Sequence, residues 1–287
     1  MNEFAGGGNT DPTRNPWTRH ARRVAQGRSA LGADLATSVG AHRPGAGALH
    51  AHFANAENPR ASDAEIAWYR AHLQPAGTSL ELMCGTGRLL VPLIKAGMSI
   101  HGVDASAPML AECQARLSTI GKGATLLRQD IGELNVPFRY GAAFIACGSF
   151  QSLAVDRANA ALLRIRAHLV EPGLLLLDMY VPSESAQRIA APLVEVRSAT
   201  LADGSRIALR SETTMYPDSR LARIESRYVH RRGHDLIAEE SENAAVTWYT
   251  PDDITARLLD AGFRDVTIGE SPQPDAGDQT FSVAARA

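Results

Sequence analysis

The run Leu80–Glu81–Leu82–Met83–Cys84–Gly85–Thr86–Gly87–Arg88, followed seventeen residues after Gly87 by Asp104, constrains this chain more than any other feature. It reads as a strand (Ser79–Met83), a tight glycine turn, a helix (Arg88–Ala96) and a second strand (Ser99–Asp104) that ends on an acid. Gly85 and Gly87 permit backbone conformations closed to other residues and let a ligand approach the main chain. The helix that follows presents free N–H groups to a negatively charged group. An acid at the end of the second strand can accept both hydroxyl hydrogen bonds of a ribose. A dinucleotide fingerprint starting at Gly85 needs a third glycine at position 90, which is Leu90, so a nicotinamide cofactor is disfavoured.

The same alternation continues downstream. Pro108 opens a helix that runs through Leu117, and Ala124–Arg128 and Ala142–Ala146 read as strands. Asp156–Leu169 is an amphipathic helix, Glu171–Pro172–Gly173 a turn, and Leu174–Leu177 an apolar strand. Continuous apolar strands alternating with helices predict a mostly parallel sheet covered on both faces. Upstream, Ser62 and Glu65 have capping-box spacing ahead of a helix bearing Ile66, Trp68, Tyr69 and Leu73. Between about Leu193 and Tyr249 the pattern changes to longer alternating strands. There Ile207–Tyr216 and Leu221–Val229 flank the turn Pro217–Asp218–Ser219, a predicted hairpin. A last helix, Pro251–Ala261, ends at Gly262, and Val266–Gly269 and Phe281–Ala285 complete the main sheet.

Composition narrows the function classes. A net charge of -2 provides no global field for nucleic acid or an anionic membrane. No apolar run approaches the roughly 20 residues a membrane span needs. Cys84, Cys113 and Cys147 lack CxxC spacing and suit a reducing compartment. A soluble cytoplasmic protein is expected, with residues 1–48 as a mobile tail rich in Gly, Ala and Arg. His230 and His234 lack a carboxylate at ligand spacing, so no metal is expected.

Residues 79–180 resemble the S-adenosylmethionine (SAM) binding core of class I methyltransferases. Leu80–Gly87 is similar to that family's first motif, (D/E)-x-G-x-G-x-G, with Met83 standing where the family has its first glycine. The resemblance implies an α/β fold: a Rossmann-like, doubly wound, seven-stranded, mostly parallel sheet with an antiparallel β subdomain inserted after strand five. The expected units are a tail (1–48), a helical lid (49–78), the SAM-binding core (79–192), a substrate-side or dimerisation insertion (193–249) and a C-terminal helix with the last two strands (250–287).

The resemblance also implies roles for particular residues. Glu81 would orient the methionine ammonium, Gly85 and Gly87 line the methionine, and Asp104 hold the ribose. Tyr69, Cys84, Arg88, Ala105, Met109 and Ile131 are further cofactor candidates. Asp130 would accept from the adenine amine, or simply cap its strand. The Cys147 carbonyl would meet the cofactor ammonium. Ser149, Phe150 and Gln151 would face the acceptor, joined from the insertion by Tyr216 and Trp248. Tyr180, just after the fifth strand, is the one candidate base, with an edge aromatic closing the core as its alternative role. Cys147–Gly148–Ser149–Phe150 lacks the (D/N)-P-P-(Y/F) motif of many base-methylating enzymes. Together with the absence of a basic strip, this disfavours nucleic acid.

The implied activity is methyl transfer from SAM to nitrogen or oxygen of a small metabolite, with S-adenosylhomocysteine (SAH) as product. The alternatives are a protein or carrier-bound acceptor and a non-catalytic SAM-binding regulator. A homodimer is a further expectation for the insertion.

Overall fold

The structure, a computed structural model, describes residues 47–73, 77–272 and 280–287; the expectation for the tail falls almost wholly outside them. Two helices come first, α1 (Ala48–Glu57) and α2 (Asp63–Leu73). The core follows as β1 (Ser79–Leu82), α3 (Leu90–Lys95), β2 (Ile100–Asp104), α4 (Ala107–Thr119), β3 (Leu126–Arg128), β4 (Tyr140–Ile145), α5 (Val155–Ala167) and β5 (Leu169–Tyr180). A short α6 (Glu184–Gln187) leads to β6 (Leu193–Thr200), β7 (Arg206–Tyr216), β8 (Leu221–Arg232) and β9 (Asp235–Thr247). The chain returns through α7 (Pro251–Asp260), β10 (Arg264–Glu270) and β11 (Thr280–Arg286).

The main sheet has seven strands in the order β10-β11-β5-β4-β1-β2-β3. β1 to β5 pair in parallel, and β11 runs antiparallel between β5 and β10. Strand order reverses at β1, the switch point beside which ligands bind in open α/β sheets. The apolar strands bury both faces. Ala143, Ile145, Leu175 and Leu177 pack with Ala158, Leu162 and Ile165 of α5 and with Ile254 and Leu258 of α7. Ala142, Phe144, Leu174 and Leu176 pack on the other face with Tyr69, Leu93 and Leu117. This period-two division of one strand between two cores explains why the sequence shows unbroken apolar runs there.

Three boundaries differ from the sequence reading. α3 starts at Leu90 rather than Arg88, which puts Pro92 in the first turn, where its missing N–H costs nothing. β5 absorbs Glu171–Pro172–Gly173, read as a turn, and its register against β4 shifts between Tyr140 and Ala142. The predicted hairpin is the middle of a four-stranded meander, order β6-β7-β8-β9.

The register of that meander sets one of its faces. Arg197 pairs with Leu209, Leu209 with Tyr228, and Tyr228 with Glu240. Ile207, Leu209 and Tyr228 on that face are buried against Leu49 and Phe53 of α1 in an apolar cluster separate from the two main cores. Carboxylates of β9 fix the start of α1. Glu242 accepts from Gly47 N (2.8 Å), and Glu240 accepts from the N–H groups of Leu49 (3.1 Å) and His50 (3.3 Å). Anions at a helix start satisfy its free N–H groups and complement its dipole.

Candidate functional site

The turn after β1 is shaped by three residues in the left-handed region: Met83 (φ 55°), Gly85 (φ 54°) and Gly87 (φ 77°). Met83 thus adopts a conformation that favours glycine, at a cost of roughly 1–2 kcal/mol. The Gly85 N–H donates to Asp104 Oδ2 (2.9 Å), while Asp104 Oδ1 accepts from Ser106 N (2.8 Å). Asp104 is therefore oriented by two main-chain donors that tie the turn to the end of β2. Burial pushes its carboxyl up from the ordinary value, against the pull of those two N–H groups and of the His50 imidazole. A Cβ placed on Gly85 would have Met109 Sδ, at 4.0 Å, as its nearest neighbour, so that side of the turn is open.

Glu81 lies on β1 just before the turn and is 4% exposed. Its Oε2 has no hydrogen-bond partner, and burial pushes its carboxyl well above the usual range. An unpaired buried carboxylate oxygen is costly unless a ligand completes it. Arg88 turns away from the turn to form a two-pronged pair with buried Glu65 of α2 (2.8 and 2.5 Å), and it also reaches Cys147 Sγ. After β4, Cys147 (φ 57°) and Gly148 (φ 65°) make a second left-handed turn. It is held by a hydrogen bond from Cys147 N to Asp178 Oδ2 of β5 (3.0 Å).

These pieces line one cavity of about 350 Å³. Glu81, Met83, Gly85, Arg88, Met109, Cys147 and Ser149 form its core side. His50, Phe53 and Glu57 of α1, with Arg197, Leu209 and Tyr228 of the meander, form the other. Arg197 pairs with Glu57 (2.6 Å) and Glu195 (2.7 Å) and lies over the Phe53 ring. Both arginines of this lining are therefore matched by carboxylates.

Of the cofactor candidates, Glu81, Cys84, Gly85, Arg88, Met109 and Cys147 line this cavity. Asp104 meets it through Gly85. Gly87 backs the turn against Cys113, and Ala105 is exposed beyond β2. Tyr69 is fully buried against Phe144, which makes it a core residue rather than a lid. Asp130 takes its alternative role: Oδ1 accepts from Gly132 N (2.8 Å) and Oδ2 pairs with Arg157 (2.7 Å), while Ile131 is buried in the core.

Among the acceptor-side candidates, Ser149 lines the cavity. Phe150 is buried beside Tyr249, and Gln151 clamps the main chain of Tyr180 with both amide atoms (2.8 and 2.7 Å). Trp248 is 3% exposed, and Tyr216 stands at the far end of its hairpin under Arg223. Tyr180 does not line the cavity, and burial pushes its phenol further from ionisation. The sequence reading missed His50, Glu57 and Arg197. The signal that could have found Arg197 is the meander register, which places it opposite Leu209. His50 and Glu57 carried none.

Comparison with known proteins agrees with this geometry. The family described as "Methyltransferase domain" matches residues 80–173. A Streptomyces fradiae protein, dTDP-3-amino-3,6-dideoxy-alpha-D-glucopyranose N,N-dimethyltransferase, is 26% identical over 196 residues, covering 67% of this chain and 72% of that protein. Relatives from Bacillus subtilis (strain 168) and Geobacillus sp. (strain WCH70), both bearing the name methyltransferase, are 29% and 34% identical. Those matches cover 39% and 37% of this chain, which spans less than half of each relative (46% and 44%). Among solved structures, the sugar N-methyltransferase KedS8 from Streptoalloteichus sp. ATCC 53650 shares the fold at a TM-score of 0.67 and 20% identity, over 91% of this chain and all of that one. A SAM-dependent methyltransferase from Clostridium acetobutylicum ATCC 824 does so at 0.63 and 16%, over 78% and 89%. Residues 80–173, which carry the glycine turn and Asp104, thus match the methyltransferase-domain family, and the sheet around them has the fold of SAM-dependent methyltransferases.

Proposed function

We propose that this protein transfers a methyl group from SAM to a nitrogen of a small molecule. The observation that carries the reading is the buried, unpaired Glu81 Oε2 facing a cavity that also meets the open side of Gly85. A cationic ammonium there completes the carboxylate, and Asp104 beside Gly85 is placed to accept from ribose hydroxyls. Bound there, SAM supplies a methyl carbon already activated by its sulfonium. The chain's own task is then to hold an acceptor in line and keep water out, which accounts for most of such a rate enhancement.

Nitrogen is favoured over oxygen by the amino-sugar acceptor in the name of the Streptomyces fradiae relative. A protein acceptor is less well supported, because the cavity is roofed by α1 and the meander and suits a compact substrate. Two measurements test the reading. Calorimetry is expected to show SAM and SAH binding to the full chain, weakened about 10- to 100-fold in Asp104→Ala through loss of the ribose contacts. Incubation with methyl-labelled SAM and a metabolite extract is expected to label amines. No binding heat with the wild-type protein would refute the assignment.

A further inference from the structure

Methylation of an amine bound as its ammonium needs a group that takes its proton, and Tyr180, the candidate read from the sequence, is not among the residues lining the cavity. We propose that His50, oriented by Glu242, is that group: its Nε2 accepts the proton from the acceptor amine before the methyl is transferred. The proposal rests on the methyltransferase reading above.

Three contacts fix the ring. His50 Nδ1 lies 2.8 Å from Glu242 Oε2, the other oxygen of which already accepts from Gly47 N. The His50 main-chain N–H bonds Glu240, and the imidazole stacks on Tyr228 with 5.3 Å between centroids and 18° between planes. An ionised carboxylate only accepts, so Nδ1 carries a proton, and in the neutral imidazole the lone pair is on Nε2. A carboxylate behind an imidazole fixes its tautomer and stabilises the imidazolium that forms, the arrangement used by acid–histidine pairs in hydrolases. His50 lines the same cavity as Glu81 and Gly85.

The charged and titratable groups around the ring come from every neighbouring element. They are Glu240 and Glu242 of β9, Tyr228 of β8, Arg197 of β6, Asp104 of β2 and Glu81 of β1, while Glu112 of α4 pairs with His52 on the outer side. In the step itself, an N–H bond of the acceptor ammonium breaks and its proton moves to Nε2. The lone pair left on nitrogen then forms the N–CH3 bond as the methyl–sulfur bond breaks, and that electron pair returns to sulfur. The product is the N-methylated ammonium ion with SAH. The imidazolium lies against Glu242 and later loses its proton to solvent.

The test uses the full-length wild-type protein with His50→Gln, His50→Ala and Glu242→Gln. The acceptors are dTDP-3-amino-3,6-dideoxy-α-D-glucopyranose and the amines labelled in the extract experiment. His50→Gln is expected to lower kcat by about 100-fold or more with KM little changed, and to remove the acidic limb of the kcat–pH profile. Glu242→Gln is expected to cost about 10-fold, and added imidazole should restore part of the His50→Ala rate. SAM binding by calorimetry should be unchanged in all three. Independently of turnover, nitrogen-15 spectra of the wild-type histidines should place the His50 proton on Nδ1, and Glu242→Gln should alter that resonance.

A proton found on Nε2, or a His50→Gln variant with an unaltered rate and pH profile, would overturn the proposal. So would a protein that binds SAM yet methylates none of the amines. Loss of SAM binding in the wild type itself would instead remove the underlying methyltransferase reading.

Discussion

Asp178 provides a prediction that can be worked through from its surroundings. It stands near the end of β5, 3% exposed, with Oδ2 accepting from Cys147 N and Oδ1 within 3.4 Å of Ser271 Oγ. Burial pushes its carboxyl up to about 6 from an ordinary 3.8, only partly countered by the Cys147 N–H. The folded protein therefore holds this proton up to about pH 6, whereas the unfolded chain releases it near 3.8. The carboxyl favours folding fully below about pH 4, and that contribution is lost as pH rises through 6. The difference amounts to about 3 kcal/mol as an upper bound, because relaxation of the folded state reduces it. Asp178→Asn keeps an oxygen for Cys147 N–H and cannot ionise. Its stability relative to wild type should therefore rise between pH 4 and 7 by about 2–3 kcal/mol. Urea unfolding followed by tryptophan fluorescence at half-unit pH steps measures this directly. A stability difference that stays flat across the range would refute the reasoning.

Two further substitutions test the walls of the site. Gly87→Ala places a methyl 2.6 Å from Cys113 Sγ and 2.9 Å from Val91 Cγ2 at φ 77°. It should lower stability by about 2–4 kcal/mol in thermal or urea unfolding, and an unchanged midpoint would show that the turn is not fixed as described. Glu65→Ala leaves Arg88 partly buried without its two-pronged partner. It should cost about 3–5 kcal/mol in urea unfolding, because it leaves a largely buried guanidinium without its partner.

The half of the site carried by the core was legible in the sequence, because its chemistry depends on the main chain. Gly85, Gly87 and Asp104 announce a turn and an acid through residue type and spacing alone. Met83 shows the same logic from the other side: it departs from the pattern in residue type yet keeps the left-handed φ that the position demands. Phe150, Gln151 and Trp248 are buried away from the cavity for a physical reason. Position near the carboxyl edge does not determine whether a side chain turns into the cleft or into the core. Gln151, a polar residue 1% exposed, spends both amide atoms on the main chain of Tyr180. Asp130 was readable as a cap or a ligand, and only the position of Arg157, 27 residues later, distinguishes the two. His50 and Glu242 are 192 residues apart, and no local pattern joins them.

That long-range pairing explains how an insertion after the fifth strand becomes part of a site built around the first. The α1 helix bonds to the meander through Glu240, Glu242 and the Glu57–Arg197 pair, and buries Leu49 and Phe53 there. Towards the core it meets α4, where Glu112 takes Asn55 (2.6 Å) and His52 (3.2 Å). Apolar burial thus assigns α1 to the added sheet, and polar contacts join it to the core. The cleft lies along the polar seam between the two. Buried apolar contacts hold their geometry whatever the charge state, while exposed ion pairs contribute little by themselves. A ligand between Glu81 on one side and His50 on the other would therefore bridge the weaker of the two joints. The core alone can present a cofactor-binding turn, but an acceptor and the group that takes its proton need the wall that α1 and the meander build together.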